Sequence, residues 1–237
     1  KTIQNKKGEI INSIKNKKAV IISFIEGNKI DEPNINECSE VGKMVGNLHN
    51  LTLNFNQSRE NSLDVKEWKN LLTKCIKIED KKFNILCQEL ENEIDFLEGS
   101  WPKNIPSGVV HADLFKDNIF FKDEKITGVI DFYFSCYHFF LYDISIVIND
   151  WCFEKNGKIF RNEYFEAILS GYNKYKKLSE QELESFNIML RVAAVRILVT
   201  RLHDYIFHPE DAIVVKKDPY QYYNILKWHQ NNNVMKV

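Results

Sequence analysis

The chain has 237 residues, 44% of them hydrophobic, and a formal net charge of -1. That length can bury a sizeable core, as one large domain or two small lobes. The near-neutral balance excludes an electrostatic case for nucleic acid or an anionic membrane surface. No apolar run approaches the roughly 18–20 residues of a membrane-spanning helix, and "KTIQNKKGEI" is basic without an apolar stretch after it, so it does not read as a secretory signal. Five scattered cysteines with no C-x-x-C pair argue against zinc or a disulfide framework. Buried free thiols in a reducing, cytoplasmic setting are expected instead.

In chain order, "EIINSI" and "AVIISFIEG" are β-rich runs separated by "KNKK", which predicts a hairpin whose second strand is apolar enough to be buried and central. Asn34, with Glu37 three residues on, predicts a capping box and a helix. Cys38, Val41, Val45 and Leu48 mark its apolar face. Gly42 and Gly46 lower its propensity, and the expected return is close approach of another backbone. Ser62 can cap a second helix through Val65, Trp68, Leu72 and Cys75; a third runs from about Phe83 to Leu97 and stops at Gly99.

Residues 108–131 turn back to short β-runs, "GVVH", "NIFF" and "ITGVID", with "KDEK" as a turn. Helices then resume. "YDISIVINDW" reads as a core helix and "FRNEYFEAILSGYNKY" as another. One capped by Ser179 and Glu182 is expected to run on to about residue 206. A last one opens at Asp218-Pro219 and reaches about His229. This order is not alternating βαβ, so it predicts an α+β protein of two lobes, the larger mostly helical. Residues 1–27 are expected to be the remnant of a β lobe and its hinge, and 28–237 the helical lobe carrying the β-insert.

Within that insert, "VVHADLFKDNIFF" places polar groups at strand edges. Asp113 follows a strand into a loop, where a carboxylate can meet a ligand hydroxyl. Asn118 and Asp131 border the two arms of a hairpin, where an amide oxygen and a carboxylate can converge on one hard cation such as Mg²⁺. His111-x-Asp113-x-x-x-x-Asn118 followed by Ile130-Asp131-Phe132 is the layout of protein kinases. A polar turn is the competing reading; Asp117 fits it well and is given no chemistry. His111 is expected to support the loop.

The motif resembles the catalytic loop of the aminoglycoside phosphotransferase and choline kinase superfamily, small-molecule kinases with a protein-kinase-like fold. "GVIDFYFSCYHFFLYDISIVINDWCF", with "SFIEG", "LHNL", "RLHDYIFHP" and "KKDPYQYYNIL", is similar to the homoserine kinase branch over about residues 8–228. The resemblance implies ATP as donor, Mg²⁺ on Asn118 and Asp131, and Asp113 orienting or deprotonating the acceptor hydroxyl. It implies a hinge at Ser23, Phe24 and Ile25 whose backbone meets adenine. It implies that Asp143 braces the loop, although Asp143 also reads as a helix N-cap. Tyr133 stands where protein kinases carry the glycine of D-F-G, and only eleven residues separate Asp131 from Asp143, too few for a regulated activation loop. The implied strand-borne Lys, its helix Glu and a Gly-containing loop are not found before Ser23, and Lys1, Lys6 and Lys7 are not promoted to that role. The chain is therefore expected to be a fragment that catalyses poorly alone.

Homoserine needs an anion for its ammonium and a cation for its carboxylate. Asp150 and Asp204 are candidate anions, Arg196 and Arg201 candidate cations, and Trp151 a candidate wall. Solvated surface pairs and a core Trp151 are the alternatives. An aminoglycoside, choline or a thiosugar is the alternative acceptor, and a non-catalytic, pseudokinase-like binding protein the alternative function.

Overall fold

The computed structural model describes residues 1–78, 80–209 and 215–235. The chain opens with β1 (Thr2–Ile3), β2 (Ile11–Ile14) and β3 (Lys17–Ile22), an antiparallel sheet in the order β1-β3-β2. The β2–β3 turn is only Lys15-Asn16, both at positive φ, so Lys17 and Lys18 join the strand. β3 is central, as its sequence predicts, but not buried: Val20, Ile21 and Ile22 are each about half exposed. A three-stranded sheet whose faces lie open cannot hide its apolar residues, so centrality and burial part company here.

α1 (Ile35–Leu51) starts at Asn34 with both bonds of the capping box to Glu37. α2 (Val65–Ile76) is capped by Asp64, not Ser62, because the Asp64 carboxylate reaches the Glu67 N–H. α3 spans Asn84–Gly99, with Gly99 as its last helical residue. Then come β4 (Ser107–Val110), β5 (Ile119–Lys122), β6 (Lys125–Val129) and β7 (Cys136–Phe139), followed by α4 (Phe140–Trp151). β5 pairs with β6 across Asp123-Glu124, whereas β4 pairs with β7, a strand hidden in an aromatic run. A small unpredicted hairpin, β8 (Phe153–Glu154) with β9 (Ile159–Phe160), leads to α5 (Asn162–Asn173).

The capping box of Ser179 and Glu182 starts α6 (Glu180–Glu184), but the helix does not run on. Ser185 ends it and begins α7 (Phe186–Ile206), so the expected single helix is two. α8 (Tyr220–Asn231) follows Asp218, whose carboxylate accepts the Tyr220 N–H. α4 and α7 are apolar on nearly every side and pack together at the centre of the core, as all-round hydrophobic helices must. All five cysteines are buried and free. Among the described residues no helix is long and apolar enough to cross a membrane.

α1 packs on α5 with the backbones almost touching. A Cβ on Gly42 would lie 2.0 Å from the Ile168 carbonyl oxygen, and one on Gly171 2.2 Å from that of Ser39. Gly42→Ala is therefore expected to cost about 1–3 kcal/mol in urea unfolding, through forced separation of the helices. Gly99→Ala, whose Cβ meets nothing within 4 Å, should instead be neutral or stabilising by up to about 1 kcal/mol. Equal effects would refute the packing argument.

Candidate functional site

β4 delivers the chain into a loop held from below by α4. The Asp143 carboxylate, fully buried, accepts the His111 N–H at 2.8 Å and the Ala112 N–H at 2.7 Å. Its Oδ2 also meets His49 Nε2 at 3.2 Å, while His49 Nδ1 lies 3.0 Å from the Tyr172 hydroxyl. Asp143 lies within α4 rather than capping it; the N-cap is Phe139. Burial alone would raise the Asp143 carboxyl, but the hydrogen bond and charge of His49, with the histidine and N–H groups above it, hold it below the ordinary range. His49 and Tyr172 were not singled out from the sequence. The available signal was a polar His49 beside the apolar stripe of α1.

Seven residues on, two turns along the same face of α4, Asp150 accepts the Lys116 N–H at 2.8 Å. Two carboxylates of one helix thus grip both ends of the loop 111–116. One Asp150 oxygen is engaged by the loop backbone, and Asp150 is not among the residues lining the cavity at Asp113. Trp151 is buried against Phe121, and it lines a second cavity beside Asp31 and Lys116 rather than the one at Asp113.

His111 orders the loop from within. Its Nδ1 accepts the Asp113 N–H at 3.2 Å, so Nε2 carries the proton and donates to the Ile130 carbonyl at 2.9 Å. Ala112 takes φ +63°, a left-handed conformation that costs on the order of 1–2 kcal/mol in a non-glycine residue. The Asp143 hydrogen bond to its N–H fixes that conformation, and it turns Asp113 out of the strand direction.

Asp113 stands at the edge of a cavity of about 410 Å³, lined also by Phe134, Arg196, Thr200, Arg201 and Asp204. Its Oδ2 accepts from Asn118 Nδ2 at 3.1 Å, and its Oδ1 meets both Nη atoms of Arg196 at 3.2 and 3.3 Å. Burial pushes the Asp113 carboxyl up, and Arg196 pulls against that shift. Arg201 donates to Gln221 at 2.6 Å and lies 4.4 Å over the Tyr222 ring. Asp204 is exposed at the cavity rim beside His203. Of the five acceptor-site candidates, Arg196, Arg201 and Asp204 meet in one cavity with Asp113, and Asp150 and Trp151 do not.

Asn118 and Asp131 are tied through the hairpin, where the Ile130 N–H donates to the Asn118 carbonyl at 3.0 Å. With Nδ2 turned to Asp113, the amide oxygen of Asn118 accepts no hydrogen bond among the described residues. The Asp131 carboxylate, exposed and at φ +65°, also has no hydrogen-bond partner there, yet its charge is felt at Asp113. Two disengaged hard oxygens suit Mg²⁺, which takes one or two protein ligands. The described residues hold no group of three His, Cys, Asp or Glu that would suit a fully protein-bound metal.

Beyond β3, Ser23 is half-buried, with its N–H donating to the Lys1 carbonyl at 2.8 Å, whereas Phe24 is open, 92% exposed. Ile25 packs on Gly128, where a Cβ would lie 2.7 Å away. Asn28 then exchanges two backbone hydrogen bonds with Phe121, at 2.8 and 2.9 Å. The segment is thereby fastened to the hairpin that carries Asn118.

The profile of a phosphotransferase enzyme family matches residues 7–178. A homoserine kinase of Agrobacterium fabrum is 41% identical over 228 residues, covering 96% of this chain and 70% of its own length. One of Bartonella tribocorum is 39% identical over 231 residues, covering 98% and 72%. Among solved structures, an amicoumacin kinase in complex with AMP-PNP and Ca²⁺ superposes with a TM-score of 0.66 at 15% identity, covering 100% of this chain and 71% of its own. An ethanolamine kinase of Plasmodium vivax gives 0.62 at 19% identity, covering 93% and 66%. The α+β, kinase-like fold is common to them. The chain belongs to the phosphotransferase enzyme family and, within it, groups with the homoserine kinases.

Proposed function

We propose that this protein transfers the γ-phosphoryl group of ATP to the hydroxyl of L-homoserine, giving O-phosphohomoserine, a step of threonine biosynthesis. The observation that carries the reading is the Asp113 carboxylate, part-buried beside Arg196 in a cavity of small-molecule size that Arg201 also lines, in a chain of homoserine kinase ancestry. Asp113 aligns the acceptor hydroxyl and takes its proton as the oxygen bonds to the γ-phosphorus and the bond to the ADP oxygen breaks. The fixed loop gives that carboxylate one orientation, which is what in-line transfer requires. Asn118 Oδ1 and Asp131 hold Mg²⁺. Mg²⁺, when bound, offsets charge on the nucleotide phosphates. Backbone groups of Ser23, Phe24 and Ile25 meet adenine, with residues 1–27 as part of the β lobe and hinge and 28–237 as the helical lobe. Arg196, Arg201 and Asp204 face the acceptor. Five buried free thiols fit a cytoplasmic setting.

The test is an acceptor panel with the full-length protein: homoserine, an aminoglycoside, choline and a thiosugar. Homoserine should lead in kcat/KM by at least about 100-fold, the scale of discrimination given by a site that hydrogen-bonds its substrate. Preference for another member ends the homoserine assignment. In the same assay Asn118→Ala should raise the Mg²⁺ concentration for half-maximal rate at least about tenfold. An unchanged Mg²⁺ requirement would remove Asn118 as a ligand.

A further inference from the structure

Asp113 is held in a way that obstructs the role just proposed for it. One oxygen faces two Arg196 nitrogens and the other faces Asn118, so little lone-pair capacity remains for a hydroxyl proton. Arg196, in contrast, has donors to spare. Its side chain is 5% exposed, its Nε has no partner among the described residues, and both Nη atoms share one acceptor oxygen. Its guanidinium lies 5.1 Å over the Phe134 ring, on the wall of the Asp113 cavity. A desolvated guanidinium whose Nε–H is orphaned, and whose one anion is held through a single oxygen, is short of a hydrogen-bond acceptor.

We infer that Arg196 is the receptor for the acceptor's carboxylate, and that in its absence the same guanidinium latches Asp113. The inference rests on the homoserine reading and says what selects that acceptor. An arriving carboxylate takes the planar fork of the guanidinium and loosens its hold on Oδ1, which frees that oxygen for the hydroxyl proton. The dimensions agree. In extended homoserine the hydroxyl oxygen and carboxylate carbon are about 5 Å apart from ordinary bond lengths, so one molecule spans the adjacent pair Arg196 and Asp113. Arg201 is already committed to Gln221 and Tyr222, and it stands five residues further along α7. An amino alcohol without a carboxylate leaves the latch closed, so the cavity selects its acceptor by the group that opens the base.

Two acceptors separate the outcomes: homoserine, and 3-amino-1-propanol, which is homoserine without its carboxylate. Arg196→Gln in the full-length protein should lower kcat/KM for homoserine by about 100-fold or more, the cost of stripping a buried charge pair. The same variant should raise kcat/KM for 3-amino-1-propanol by at least about tenfold, because the latch that this acceptor cannot open is gone and Asp113 is free to take the hydroxyl proton; an unchanged or lower value would overturn the latch. Equal losses on both acceptors overturn the inference, since Arg196 would then serve the phosphates or the fold. A wild-type protein that does not phosphorylate homoserine removes the homoserine reading itself, which is a different result. Against misfolding of the variant, calorimetry on the unaltered protein compares L-2-aminobutyrate with n-propylamine. The carboxylate-bearing ligand should bind at least about 100-fold tighter, and equal affinities overturn the inference.

Discussion

Replacing Asp113 by Asn in the full-length protein is expected to lower kcat by about 10²–10⁴, the range of a lost general base. ATP affinity should stay within about threefold, because Asp113 approaches the acceptor side of the site and not the hinge. The substitution is nearly isosteric and tests proton acceptance with little change in volume. The amide can still accept from Asn118 through one oxygen, but it cannot take a proton from a hydroxyl and cannot balance Arg196. The pH profile supplies an independent reading. Burial raises the Asp113 carboxyl, against the lowering charge and hydrogen bond of Arg196. The base works only when ionised, so activity falls as pH drops through its pKa. The acid limb of kcat/KM should therefore lie above the ordinary aspartate value of about 3.9 and be absent from the Asn variant. Single-turnover kinetics and calorimetry with ATP measure the two halves. Retention of kcat within about tenfold would take the proton-accepting role away from Asp113.

What could be read in the sequence was mostly local. The capping boxes at Asn34 and Ser179 are three-residue patterns, and both form. Gly42 and Gly46 signalled a close backbone because no helix gains from two glycines on its own account, and α5 supplies that backbone. The spacing from His111 to Asp131 placed the loop and hairpin because the turn and strand signals that make them lie within that one stretch. What could not be read was long-range. Asp113 and Arg196 are 83 residues apart, and no local pattern says which of several helix charges a loop carboxylate will meet. Asp150 looked like a free anion because its partner is a backbone N–H, a group every residue has. β7 was lost in "FYFSCYHFFLY" because an aromatic run has no period. Exposure of β3 was illegible for a similar reason: its apolar residues are the same whether or not another layer covers them.

Removing the carboxylate beneath the loop should have the largest effect on stability. Asp143→Ala leaves the His111 and Ala112 N–H groups and the His49 ring nitrogen buried without their acceptor. Stripping one partner from such a buried charged cluster costs about 3–5 kcal/mol, well above the effect of an average substitution. Asp143→Asn should recover only part of this, because an amide offers one acceptor oxygen and presents donors to a donor. Tyr172→Phe, which removes only the outermost hydroxyl, should cost about 1 kcal/mol. Urea unfolding of the three variants measures the order. The sign of the pH dependence follows from the depressed Asp143 carboxyl. A folded-state pKa below the unfolded one gives stability that is complete above the unfolded value, near 3.9, and lost as pH falls through the folded one. The part of the gap between wild type and Asp143→Asn that comes from the ionised carboxylate should thus be complete above about pH 5 and narrow below about pH 4. A gap that widens in acid would mean the carboxylate is not held in its charged form. Loss of Asp143 should also lower kcat, because among the described residues no other side chain bonds the Ala112 N–H in its left-handed turn, and Asp113 takes its direction from that turn.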